Sequence, residues 1–81
     1  MNRKKLNKCV GAELKAIRKT QGLTQEKIAK RLKMSRPNWV NIEGGRTNVS
    51  IYQLFQIADL LDLDTNSIVR GIKRRYSKKT L

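Results

Sequence analysis

Arg36, Asn38, Val40 and Asn41 lie close together in the sequence and carry side chains suited to reading a patterned surface. The planar fork of Arg donates two parallel hydrogen bonds, an Asn amide donates and accepts at once, and Val offers an apolar contact. That set matches base edges in a duplex: guanine O6 and N7 for Arg, adenine N6 and N7 for Asn, the thymine methyl for Val. Other chemistry has little to build from. With no His and a single Cys, Cys9, the chain can form no internal disulfide and no zinc-finger ligand set. The remaining Asp, Glu, Lys, Tyr, Ser and Thr form no recognisable acid, base and nucleophile constellation, which points away from an enzyme and from any metal or cofactor.

Charge points the same way as those four residues. Among 81 residues, Lys and Arg number 19 and Asp and Glu 6, a formal charge of +13. On so small a body that is a strong positive field, whose natural partner is a polyanion. A membrane is the weaker choice, because no apolar run approaches the roughly 18 to 20 residues needed to span one. The basic opening Met1–Lys8 is followed by Lys15, Arg18 and Lys19 where a signal peptide needs an apolar stretch, so a cytoplasmic protein is expected. The length suits one domain with one core.

The elements that must position these residues are helical. After a basic extension over residues 1–5, Leu6, Val10, Leu14 and Ile17 recur at helical spacing, and Gly22 stops the helix. Thr24 caps a second helix with Ile28, Ala29 and Leu32 on one face. Lys33-Met34 breaks the pattern, and Ser35 caps a third helix with Pro37 in its first turn. Trp39 and Ile42 face inward there, and Gly44-Gly45 ends it. Ser50 and Gln53 form a capping box for a fourth helix to about Leu61. Its apolar residues Ile51, Leu54, Phe55, Ile57, Ala58 and Leu61 cover more than one stripe, as when a helix touches its own core and something else. Asp64 caps a fifth helix to about Arg70, with Ile68, Val69 and Ile72 on its apolar side. The basic stretch 73–81 is too polar to pack and is expected to be mobile. The domain is therefore all-α, spanning residues 6–72.

Two helices joined by a short turn, the second short and polar on its outer side, form a unit whose second helix enters the major groove. Residues 24–45 match it, with Ala29 as the small residue at the crossing. Arg36, Asn38, Val40 and Asn41 then face the bases. Past the helix, Arg46, Thr47 and Asn48 are placed to hold the sugar-phosphate backbone, and Thr24 and Gln25, at a helix start with free N–H groups, suit a phosphate.

From Gly11 to Val69 the chain resembles the lambda-repressor-like (Cro/C1 or xenobiotic-response-element) helix-turn-helix regulators. The likeness is carried by Gly22-Leu23-Thr24-Gln25-Glu26, Ile28-Ala29, Leu32, Ser35, Ile42-Glu43-Gly44-Gly45-Arg46 and Ile57-Ala58. It implies a compact five-helix domain, a phosphate contact at Thr24 and Gln25, and an ion pair between Arg18 and Glu43. The chain departs from the family at Lys33, where a permissive residue is usual, and at Asp62, where Gly is usual. The short chain and the stretch Gly45-Arg46-Thr47-Asn48-Val49-Ser50 look like controller proteins of restriction-modification systems; phage repressors, Cro-like proteins and antitoxins stay open.

One short helix reads few base pairs, so a homodimer on a palindromic operator is expected, with half-sites about 34 Å apart. Leu60, Leu63, Ile68, Val69 and Ile72 are the candidate interface. No ligand-sensing segment is visible, so no small-molecule effector is expected. Two other classes compete: an antitoxin-like protein that neutralises a protein partner, and a non-specific nucleic-acid binder, which the lack of an interleaved aromatic platform disfavours.

Overall fold

Each helix begins on a side-chain oxygen that satisfies an otherwise unpaired backbone N–H. In the computed structural model, which describes residues 1–78, Asn2 opens α1 (Arg3–Thr20), Thr24 opens α2 (Gln25–Arg31) and Ser35 opens α3 (Arg36–Glu43). Ser50 opens α4 (Ile51–Leu60) with the complete capping box, and Asp64 opens α5 (Thr65–Ser77). No strand occurs among the described residues.

The first four helices end alike. A residue with positive φ follows each C-cap, and the next N–H reaches back to the carbonyl five residues earlier: Leu23 to Arg18, Met34 to Ala29, Arg46 to Asn41 and Leu63 to Ala58. Gly22 and Gly45 supply the left-handed residue in α1 and α3 without strain. Lys33 at φ 57° and Asp62 at φ 55° supply it in α2 and α4, so both departures from the family pattern sit where the backbone turns.

Each helix sends one large side chain fully into the core: Leu14, Ile28, Trp39, Ile57 and Ile68. Burial of such a side chain stabilises by roughly 1.5–3 kcal/mol. α1 packs on both α3 and α5, α2 on α3, and α4 on α5. α1 meets α3 so closely at Gly11 that a Cβ there would strike the carbonyls of Ile42 and Glu43. That approach lets a residue two turns along α1, Arg18, reach the end of α3.

The chain termini differ from the sequence expectation. α1 starts at Arg3 rather than Leu6, because Asn2 accepts from the Lys5 N–H, so most of the 1–5 extension is helix. α5 runs to Ser77 rather than Arg70, and its last turns pack on α1. Arg75 pairs with Glu13 at 2.8 Å, the Tyr76 hydroxyl accepts from the Asn2 N–H at 2.8 Å, and Lys5 Nζ lies 4.5 Å from the centre of the Tyr76 ring. The stretch 73–81, expected to be mobile, is thus helical through Ser77, held by polar and cation–π contacts that hydrophobic periodicity does not register. Its residues 79–81 lie outside the described residues.

Lys33→Gly removes the left-handed strain at the end of α2. The variant is expected to gain about 1 kcal/mol, a rise of roughly 4–8 °C in a thermal melt. An unchanged or lower Tm would show that Lys33 bears no such strain.

Candidate nucleic-acid interface

Glu43 organises the interior behind α3. Arg18, only 7% exposed, donates from Nε to Glu43 Oε2 at 2.5 Å, from Nη2 to Oε1 at 3.3 Å and from Nη1 to the Leu23 carbonyl at 2.7 Å. Gln25 Nε2 donates to Oε1 at 3.0 Å, and Trp39 Nε1 donates to Oε2 at 2.5 Å. One carboxylate therefore ties α1, α2 and α3 together, and no buried side-chain N or O among the described residues lacks a partner. Burial pushes the Glu43 carboxyl up, but the donors Arg18, Gln25 and Trp39, with the Arg18 charge, outweigh it and hold the group below its ordinary range. The ion pair that the family resemblance implies is present. Its extension to Gln25 and Trp39 was not expected, although Trp39 and Glu43 stand at the i, i+4 spacing of helical neighbours.

With Trp39 and Ile42 locked inward, the opposite side of α3 is left to solvent. Arg36 is exposed at its first residue, and Asn38 and Asn41 are exposed along it. Val40 is half-buried yet is not among the side chains packed on the core. Asn38 and Asn41 share a polar recess of about 220 Å³ with Thr47, Asn48 and Gln53. The structure thus brings two candidate base readers and two candidate backbone holders around one opening. Arg46 bends back over Gly44 and donates from Nε to Asn41 Oδ1 at 3.0 Å, which links the helix to the loop after it. Asn48 Oδ1 accepts from Asn7 of α1 at 2.7 Å, a partner 41 residues away that no local pattern signals.

The start of α2 keeps the expected Thr24 cap and departs from expectation at Gln25. The Thr24 hydroxyl accepts from the Lys27 N–H, and the Gln25 amide points inward to Glu43, so both side chains have structural work. The first N–H groups of a helix have no intrahelical acceptor, and at α2 the Thr24 hydroxyl takes that of Lys27.

The expected interface of Leu60, Leu63, Ile68, Val69 and Ile72 needs correction. Ile68 is 0% exposed and Ile72 8%, both core residues, and Leu60 and Leu63 are half-buried against that core; of the set only Val69 is exposed. α5 spends Ile68 and Ile72 on the core and leaves Val69 as its exposed member of the set. The free apolar surface lies on α4 instead, where Ile51 is 76%, Tyr52 72% and Phe55 55% exposed. The sign of it was the second apolar stripe of that helix.

A five-helix domain with a capped, outward-facing third helix is a helix-turn-helix domain, and the chain belongs to that family, which matches residues 10–68. The immunity repressor protein of Bacillus phage phi105 is 38% identical over 60 residues, 74% of this chain, and the matched part spans 42% of that relative's length. In fold, the chain is similar to the clp gene regulator ClgR of Corynebacterium glutamicum, with a TM-score of 0.85, 22% identity and coverage of 91% of this chain and 96% of that one. It is also similar to the restriction-modification controller protein C.AhdI of Aeromonas hydrophila, with a TM-score of 0.72, 27% identity and coverage of 76% and 94%. No helix among the described residues is long and apolar enough to cross a membrane.

Arg18→Met strands the Glu43 carboxylate in the core. Breaking a buried pair costs about 3–5 kcal/mol, so a drop of at least roughly 12 °C in Tm is expected at pH 7. In the wild type the folded-state pKa of Glu43 is depressed, so its contribution is present above the unfolded value of about 4.3 and is lost as pH falls through the lower folded value. In the variant the Arg18 bonds and charge are gone and only Gln25 and Trp39 oppose burial, so the carboxyl titrates higher than in the wild type, acid relieves the buried charge and the gap between the two proteins narrows from pH 7 to 4. A gap independent of pH would mean that the pair is not electrostatic in origin.

Proposed function

We propose that the chain is a sequence-specific, double-stranded DNA-binding transcriptional regulator that reads a palindromic operator as a homodimer through α3. The observation that carries this reading is the exposed Arg36 at the start of α3, in no ion pair among the described residues, on the helix whose Asn38 and Asn41 share a polar recess with Thr47 and Asn48. Arg36 takes guanine in the major groove, Asn38 and Asn41 take adenine edges, and Val40 meets a thymine methyl. Arg46, Thr47 and Asn48 hold the backbone on one side of the groove, and the N–H groups at Thr24 and Gln25 hold it on the other. The names of the phage repressor, ClgR and C.AhdI, all regulators, support the same reading, as does the formal charge of +13.

A single module of this size gains specificity by pairing over two half-sites. The face for that pairing is Ile51, Tyr52 and Phe55 of α4, in place of the α5 residues that fill the core.

Selection of bound sequences from a random duplex pool tests the reading directly. A two-fold symmetric motif is expected, bound roughly 10³-fold or more above scrambled DNA, and Arg36→Ala relaxes one position in each half at a cost of about 1–3 kcal/mol. Binding without any motif, abolished equally by salt on all DNA, would leave only an electrostatic footprint. The dimer face has its own readout. Phe55→Asp is expected to shift the wild-type dimer to monomer in sedimentation equilibrium while the far-ultraviolet CD spectrum is retained; a monomeric wild type, or a variant that stays dimeric, would rule out α4 as the interface.

A further inference from the structure

We propose that the first two turns of α1 form a second backbone clamp, in which Arg3, Lys4 and Lys8 act with Arg46 to grip duplex phosphates flanking the sequence read by α3. This inference rests on the reading of α3 as a duplex reader and extends the contact surface to an element outside the helix-turn-helix.

The geometry comes from the close approach of α1 to the loop after α3. A Cβ at Gly45 would fall 2.7 Å from Lys8 Cα, so only a glycine lets the two backbones lie side by side. Asn7 then reaches across to Asn48 at 2.7 Å and joins α1 to a residue already assigned to backbone holding. Together Arg3, Lys4, Lys8 and Arg46 surround a recess of about 490 Å³ floored by Gly44 and Gly45.

The electrostatics of that recess are one-sided. All four cations are exposed, and none of them is in an ion pair among the described residues. Glu43, the nearest acidic residue in the loop's sequence, is turned inward to Arg18, Gln25 and Trp39. The first turn of α1 holds no acidic residue but carries Arg3, Lys4 and Lys5, where the positive end of the helix dipole opposes cations. Helix stability does not account for that placement; an external anion does. Lys5 is engaged with the Tyr76 ring, which leaves Arg3, Lys4 and Lys8 for the recess. A phosphodiester strand fits better than a single small anion, because Asn7, which lines the recess, is bonded to Asn48, so the recess adjoins residues already assigned to backbone holding.

The test compares wild type with two full-length triple variants of equal charge. One is Arg3→Gln, Lys4→Gln and Lys8→Gln; the control is Lys15→Gln, Lys19→Gln and Lys73→Gln, exposed residues outside the recess. Affinity for the selected duplex is measured against salt, with phosphate ethylation interference on the same duplex. Each lost phosphate contact lowers the slope of log affinity against log salt by about 0.9, so the α1 variant should lose roughly two to three. It should also lose interference at phosphates outside the half-sites, keep the same preferred sequence and melt at or above the wild-type temperature. The control should keep the slope and the interference pattern. A preferred sequence with equal slopes in both triple variants would overturn the clamp and leave the α3 reading standing. A wild type that prefers no sequence would bring down both.

Discussion

The carboxylate of Glu43 receives hydrogen bonds from Arg18 on α1, Gln25 on α2 and Trp39 on α3, and the geometry of the outward face of α3 depends on it. A short helix such as α3 is marginal on its own, and most of its stability must come from tertiary packing. Trp39 and Ile42 provide the apolar part of that packing. They leave rotation about the helix axis loosely defined, whereas two directional bonds from Arg18, one from Gln25 and one from Trp39 define it closely. A buried ion pair is weak evidence for net stability, since desolvation offsets much of the attraction. Here its role is orientation: Arg36, Asn38 and Asn41 face outward because the end of the same helix is fastened inward.

The rest of the charge is arranged around that centre. A formal +13 on 81 residues repels itself, and each acidic side chain that is paired inward leaves more positive field outside. Glu43 is consumed by Arg18 in the core, and Glu13 by Arg75 between α1 and α5. The Glu13 pair is partly exposed and contributes at most about 1 kcal/mol, yet it fixes the last turns of α5 on α1 together with Tyr76. That brace supports α1 from behind, and α1 in turn supports α3 at Gly11 and the following loop at Asn48. The surfaces are thereby divided: α3 and its loop carry polar and basic groups, α5 is mostly spent on internal packing, and α4 presents Ile51, Tyr52 and Phe55 away from the core.

Much of this was legible in the residues. The caps Thr24, Ser35, Ser50 and Asp64 and the breaks at Gly22, Lys33 and Gly45 depend on local backbone chemistry, so they mark helix boundaries that the fold then respects. The outward set on α3 follows from the inward set, because a helix has one period. The ends of α1 and α5 were not legible, since Asn2, Lys5, Glu13, Arg75 and Tyr76 meet across more than 60 residues of chain in the case of Glu13 and Arg75. Gln25 read as a phosphate holder on position alone, and only the approach of α3 turned its amide inward.

The sequence by itself determined five helices, their order, the core stripe of each and the chemistry offered by α3, because those properties are set by residue type and by spacing within a few turns. Tertiary structure decided which apolar residues were left over. Ile68 and Ile72 on α5 and Ile51 and Phe55 on α4 have similar hydropathy and similar helical spacing, yet the first two are buried and the last two exposed. Hydrophobicity states only that a side chain gains by leaving water. Which partner it leaves water against is a property of how the helices are stacked, and that stacking is set by contacts such as Gly11 on the α3 carbonyls and the bonds to Glu43, between residues far apart in the chain.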